Sequence, residues 1–175
     1  MHVRQPYDLE AYVERTRNGP CFICALLSGH PDYRHHIIYE DDLAVAFLAQ
    51  APNKEGRTLV QAVDYTLVVP REHREHVTGS FTPEEYLRLQ SLVYRVGEAL
   101  RAELPTERVY VLSLGSQQGN SHVHWHVVPL PPGVRYGEQQ FHFLMAENGK
   151  IEVTPEEHAN LAVRLWERLK DQTSG

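Results

Sequence analysis

The sequence predicts an α+β protein, with strand hairpins and two long helices. Three observations carry this. Two segments open with the same signal, Thr82-Pro-Glu-Glu85 and Thr154-Pro-Glu-Glu157. In each, the Thr can cap a helix, the Pro suits its first turn, and the second Glu completes a capping box. Next, His36–Glu40 and Leu43–Leu48 are short apolar runs joined at Asp41-Asp42, which read as a hairpin. Finally, Asn120-Ser-His-Val-His-Trp-His-Val-Val-Pro129 alternates histidine with strand-favouring residues. In an extended strand His122, His124 and His126 share one face, and Val123, Trp125 and Val127 point into a core on the other.

In chain order, Leu9, Tyr12 and Val13 recur at helical spacing within Asp8–Arg17, so a short helix is expected there, ended by Asn18-Gly19-Pro20. Cys21–Leu27 is apolar, and Ser28–Asp32 reads as a loop. After the hairpin, Pro52–Arg57 is a polar loop, and Thr66–Val69 is a strand closed by Pro70. Behind the first capping box, Leu89, Leu92, Val93, Val96 and Leu100 extend a helix to about Glu103, where Pro105 stops it. Val109–Leu114 is a strand that pairs with the histidine strand across the Gly115–Ser121 turn. Phe141–Met145 reads as a further strand. The second capping box starts a helix with Leu161, Leu165, Trp166 and Leu169 on one face. His30, His35, His36, His142 and His158 are scattered and expected at the surface, and the Gly133–Gln140 segment reads as a solvated loop.

A chain of 175 residues forms one domain with a good core. No apolar run reaches the ~20 residues of a membrane span, and the polar N-terminus lacks a secretory pattern. No membrane association is expected. The formal charge of −6, with no dense Lys/Arg cluster, argues against nucleic acid as a partner. The two cysteines form a single C-x-x-C, which in an intracellular protein reads as metal or redox chemistry. A cytoplasmic protein is expected.

The histidine row carries the chemistry. Alternate strand residues lie about 6.6 Å apart, whereas a Zn–N bond is about 2.0–2.1 Å. Two neighbours can share one metal; three cannot without distorting the strand. A row of this length suits a phosphate chain, with one imidazole attacking and its neighbours hydrogen-bonding. The polar turn Gly115–Ser121 offers donors for phosphoryl oxygens, Asn120 and Ser121 foremost because they abut His122.

The segment His122-Val-His-Trp-His-Val-Val128 resembles the signature of the histidine triad (HIT) family of nucleotide hydrolases and transferases: His-φ-His-φ-His-φ-φ, with φ apolar. Other parts follow in the family's order: Cys21-Phe-Ile-Cys24, Tyr39-Glu-Asp-Asp-Leu-Ala-Val-Ala-Phe47, Tyr65-Thr-Leu-Val-Val-Pro-Arg-Glu-His73, a long helix, then the triad. The resemblance covers about residues 20 to 130. It implies a HIT-like fold, an antiparallel sheet with a long helix packed on it. Residues 1–175 would be a single HIT-like domain, and 131–175 a C-terminal extension adding a helix.

The resemblance also implies a function: hydrolysis of a phosphoanhydride or phosphoramidate bond at the α-phosphate of a nucleotide conjugate, such as a dinucleoside polyphosphate or nucleoside phosphoramidate. It makes His124 the nucleophile, forming a covalent nucleotidyl-histidine, and His126 a donor to the phosphate or the leaving group. His122 either extends the catalytic row or joins Cys21, Cys24 and His73 as a ligand of a structural Zn2+, with His76 as the alternative to His73. Ile23, Leu26, Phe47 and Leu48 fall where the family lines its nucleoside pocket, and a homodimer is the family's expectation. The sequence departs from the family at several points. Ala49-Gln50 stands where ribose-binding Asp or Asn is usual, with Gln50 as the substitute. Asp64-Tyr65-Thr66-Leu67 replaces the usual Gly-His-Thr-Leu, after an extra Gly56–Val63 segment. Leu130 replaces an Arg. The departures at Ala49, Tyr65 and Leu130 motivate one alternative, a non-catalytic nucleotide- or partner-binding module. A further alternative is a metal-dependent hydrolase using His122 and His124 as catalytic ligands.

Overall fold

The computed structural model describes residues 4–6, 8–50, 58–60, 65–145 and 148–171. In chain order it contains β1 (Arg4–Gln5), α1 (Leu9–Asn18), α2 (Phe22–Leu27), β2 (His36–Glu40), β3 (Ala44–Leu48), β4 (Thr58–Val60), β5 (Thr66–Pro70), α3 (Pro83–Glu103), β6 (Arg108–Leu112), β7 (Trp125–Leu130), α4 (Phe141–Leu144), β8 (Lys150–Val153) and α5 (Pro155–Asp171). The main sheet has five strands in the order β2-β3-β5-β7-β6, and all its neighbours pair antiparallel. A smaller sheet has the order β1-β8-β4. With its helices, this is the expected α+β architecture.

Both faces of the main sheet are covered, which is why β3 and β5 are buried along their whole length instead of alternating. On one face Ala44, Ala46, Leu48, Val68, Val123, Trp125 and Val127 pack against Leu89, Val93, Val96 and Leu100 of α3 and Leu161, Leu165 and Leu169 of α5. On the other, Val45, Phe47, Leu67, Val69, Val128 and Leu130 pack against Ile23 and Leu26 of α2 and Phe143 of α4. The histidines of the triad belong to this second face.

Both capping boxes form. Thr82 Oγ1 accepts from Glu85 N–H, and Glu85 returns the bond to Thr82 N–H; Thr154 and Glu157 repeat the exchange. Other expectations need correction. The triad is not one continuous strand, because β7 begins only at Trp125. Upstream, the Val123 N–H donates to Arg74, and the Pro70 carbonyl accepts from the His122 ring instead of a ladder N–H. Phe141–Met145 is not a strand: Phe141–Leu144 is a short helix whose Phe143 plugs the α2-face core. Strand β8 follows it instead. Cys21–Leu27 is largely helix α2. Trp166 is exposed, with the Lys170 ammonium 4.9 Å from its ring centre. The Pro52–Arg57 loop lies outside the described residues, as does Gly56–Val63 except for β4.

His158 was expected at the surface and is 2% exposed on α5, with neither ring nitrogen hydrogen-bonded and the His36 ring 5.1 Å away. Burial, and then the charge His36 would carry, draw its pKa from 6.5 down to about 4. The unfolded chain therefore binds more protons between these values, and stability is lost as pH falls through that window. His35, His122 and His126 act with the same sign. We expect Tm to fall between about pH 7 and about pH 5, and His158→Leu to reduce that fall; a slope unchanged by the substitution would contradict this.

Candidate functional site

The cysteines enter through α2. Cys21 is its N-cap and accepts a hydrogen bond from the Cys24 N–H at 3.5 Å. One helical turn places both thiols on the same side. His73 follows the end of β5, and His122 sits in the bend before β7. Their donor atoms converge within 4.8 Å of one another. His122 Nδ1 lies 3.6 Å from each sulfur, and His73 Nδ1 lies 3.4 Å from Cys24 Sγ. An ion with Zn–S near 2.3 Å and Zn–N near 2.0–2.1 Å in tetrahedral geometry separates S from N by about 3.5 Å.

The surrounding bonds orient the same atoms. His122 Nε2–H donates to the Pro70 carbonyl at 2.9 Å, which leaves the Nδ1 lone pair toward the sulfurs. His73 Nε2 lies 3.1 Å from Glu75 Oε1, the carboxylate support usual behind a ligating imidazole. Burial, followed by a hydrogen bond and charge repulsion from Cys21, pushes the Cys24 thiol up to about 11. Two adjacent thiolates therefore need a cation to coexist, and the donor set fits zinc. His76 is not part of the cluster. The cluster also excludes His124, so the geometry gives no support to His122 and His124 sharing a metal.

His124 is turned to a different task. Its Nδ1–H donates to the His122 carbonyl at 2.7 Å, so Nε2 carries the lone pair. Burial lowers its pKa, opposed by that backbone bond, and keeps the ring neutral. Ser113 Oγ donates to the His124 carbonyl at 2.8 Å. The His126 ring stands 4.8 Å away, nearly perpendicular, and the Phe22 ring 6.1 Å away. His124 and His126 both line a cavity of about 460 Å³. His124 and the Cys/His cluster are thus joined through a single residue, His122, whose ring faces the sulfurs and whose carbonyl holds the next ring.

A HIT domain model matches residues 31–132, more than half of the chain. The chain belongs to the HIT family. Protein hit of Bacillus subtilis is 27% identical over 152 residues, covering 85% of this chain and 94% of that protein. Among solved structures, a hypothetical histidine triad nucleotide-binding protein from Sulfolobus tokodaii has a TM-score of 0.64 at 18% identity, covering 87% of this chain and 94% of that one. A zinc-bound histidine triad family protein from Mycobacterium smegmatis has a TM-score of 0.60 at 24% identity, covering 88% and 96%. At these identities the structures establish the HIT fold.

Against the HIT pattern, the cavity walls are only partly those expected. Gln50 and Asn120 line the cavity, but Ile23, Leu26, Phe47 and Leu48 do not. These four are core residues, at most 8% exposed: Phe47 and Leu48 lie on β3, whose two faces are both covered, and Ile23 and Leu26 are the α2 side chains that pack onto the sheet. Phe22, His35, Ala49 and Tyr65 stand at the wall instead. His35, expected at the surface, packs its ring 5.0 Å from Phe47 and accepts the Gln50 N–H. The Gln50 side chain is itself held by the Arg34 carbonyl. Ser121 faces away from the cavity wall and donates to Glu75 at 3.0 Å.

Helix α1 closes one side with Tyr12, Arg15 and Thr16, and Lys150 of β8 adds a cation. Asn120 has φ of 58° and donates to the Tyr12 hydroxyl at 2.8 Å. A Cβ on Gly119 would come within 2.8 Å of Thr16, so the glycine permits the close approach of turn and helix. The exposed Arg135 pairs with Glu138 and is not at the cavity. Of the residues that sequence reasoning missed, only Tyr65 carried a local signal, since it stands where the HIT motif usually has His.

Proposed function

We propose that the protein is a nucleotide hydrolase acting at the α-phosphate of a nucleotide conjugate through a covalent nucleotidyl-histidine. The hydrogen bond from His124 Nδ1–H to the His122 carbonyl carries this reading, because it leaves Nε2 as a neutral nucleophile at a cavity wall. Nε2 attacks the α-phosphorus, and the bond from phosphorus to the leaving oxygen or nitrogen breaks. A phosphate leaving group departs as its anion, with His126 placed to hydrogen-bond it, and an amine leaving group takes its proton from water. Water then attacks the same phosphorus, displaces His124 and releases a nucleoside monophosphate. Asn120, Gly115 and Ser116 line the same cavity as His124, and the polar turn they form suits the phosphoryl oxygens.

In this reading Cys21, Cys24, His73 and His122 hold a zinc ion through two sulfurs and two Nδ1 atoms. A closed four-ligand site of this kind supplies structure, fixing the segment whose carbonyl orients His124. The whole chain acts as one domain in the cytoplasm. It pairs as a homodimer through the edge of β6, where Val111 and the neighbouring Tyr94 of α3 are exposed apolar side chains. No helix among the described residues is long and apolar enough to cross a membrane.

A second reading, a binding module without turnover, is favoured by one observation: Gln50, the substitute for the ribose-binding acid, is already engaged by the Arg34 carbonyl. The test is product formation from adenosine and guanosine phosphoramidates, dinucleoside polyphosphates and a nucleotide sugar, with acid-quenched mass spectrometry of the protein. Turnover of one class, with a nucleotidyl mass on the peptide containing His124, is the expected result. Tight nucleotide binding without product or adduct supports the module instead.

A further inference from the structure

We infer that Tyr65 is a positioning residue that holds the His126 imidazole in the form with Nε2 protonated, so that an unpaired N–H donor stands beside His124 for the substrate's phosphate. The inference rests on the hydrolase reading for its function, but its geometry stands by itself. Tyr65 precedes β5, two residues before Leu67, which is the register partner of His126. The two side chains therefore share the α2 face of the sheet. The Tyr65 hydroxyl lies 2.6 Å from His126 Nδ1, and the rings meet edge to face at 5.3 Å. Tyr65 is 8% exposed, so the phenol has little access to water. His126 Nε2 is buried and has no hydrogen-bond partner.

Which atom carries the shared proton follows from the surroundings. Burial raises the phenol well above its usual range. Burial, then the charge His124 would carry, lowers His126 to about 3, with the nearby Leu114 backbone opposing the shift. Both groups are therefore neutral, and the buried phenol has no other hydrogen-bond partner among the described residues, so its O–H donates and Nδ1 accepts. A neutral imidazole has one N–H, and with Nδ1 accepting it must be at Nε2. Two neutral rings 4.8 Å apart then divide the work. His124 keeps its proton on Nδ1 and offers a lone pair, whereas His126 keeps its proton on Nε2 and offers a donor. Each ring is fixed from its Nδ1 side, one by a carbonyl that accepts and the other by a phenol that donates. Replacing Tyr65 with a residue that has no hydroxyl frees His126 to rotate or to move its proton to Nδ1. The ring also becomes easier to protonate, because a hydrogen bond accepted by the neutral form disfavours the charged form.

The test compares wild type with Tyr65→Phe, which keeps the ring and removes the hydroxyl. Nitrogen NMR of protein labelled in its histidines reads the His126 state directly, without substrate. Wild type should show Nε2 protonated and Nδ1 as a hydrogen-bonded acceptor. Tyr65→Phe should shift the Nδ1 resonance and raise the pH at which His126 titrates. With a turned-over substrate, kcat should fall about tenfold or more while KM changes less. An unchanged Nδ1 resonance in a folded Tyr65→Phe protein, or a His126 protonated on Nδ1 in wild type, overturns the inference. If wild type turns over no nucleotide, the hydrolase reading fails, and the NMR comparison still decides the role of Tyr65.

Discussion

His124→Ala will abolish steady-state turnover, lowering kcat by at least about 10³-fold, and leave nucleotide affinity nearly intact. The size of the effect follows from what is removed. The covalent route splits one displacement at phosphorus into two, and without the imidazole neither half exists. What remains is the cavity, with Asn120 and His126 still able to bind the phosphate. The substitution deletes a side chain that is 5% exposed, so a matching far-UV spectrum is needed before the loss is assigned to chemistry. Calorimetric binding of a nucleoside monophosphate supplies the second half of the measurement. Wild-type turnover in His124→Ala would remove the basis of the hydrolase reading. The pH profile has a defined sign. A nucleophilic imidazole works when neutral, and burial lowers the His124 pKa, so kcat/KM should hold its plateau below the usual histidine range. A plateau ending above about pH 6.5 would contradict the burial argument.

Removal of zinc will cost stability before it costs chemistry. Wild type should contain one equivalent of zinc, and both chelation and Cys24→Ala should lower Tm by about 10 °C or more. The cluster ties three distant parts of the chain together: the start of α2, the segment after β5, and the entry to β7. Without the ion, two thiols and two imidazoles crowd one spot, one of those thiols is already hard to ionise, and the His122 ring loses what anchors it on the sulfur side. Activity measured well below the new Tm should persist in part, because His124 is held by the backbone of His122 and not by its ring. The opposite pattern is activity lost at unchanged Tm and restored by added metal. It would make the metal catalytic and favour the metal-hydrolase alternative.

The elements written by local chemistry were the legible ones. Capping boxes at Thr82 and Thr154 use atoms within four residues, so both helix starts could be read directly. The hairpins at Asp41-Asp42 and across Gly115–Ser121 likewise follow from neighbours. Trp125 and Val127 sit in the core because strand alternation is itself local. The triad and the C-x-x-C carried the site because their spacing is part of a family pattern. Phe141–Met145 defeated the same approach: a short apolar run fits a strand or one helical turn equally, and only Phe143 meeting the α2-face core decides it. The lining of the cavity was hidden for another reason. Tyr12, His35 and Lys150 come from separate segments, and nothing in the neighbours of any one of them marks it. The four expected pocket residues lie in the core instead: β3 is covered on both faces, which buries Phe47 and Leu48 whichever way they point, and Ile23 and Leu26 are the face of α2 that does the covering.

The small sheet has a consequence for how the molecule is made. Arg4 pairs with Ile151, so β1 has no partner until β8 has been synthesised. Closing so long a loop is entropically slow, and contacts of this span form late in folding. The main sheet up to β7 can assemble earlier, since its strands lie within Thr66–Leu130 and the hairpin before it. Helix α1 follows β1 directly and walls the cavity, so the pocket is completed only when β1 meets β8. The side of the cavity walled by α1 would stay open until β8 has joined β1, after the strand that carries His126 is already in place.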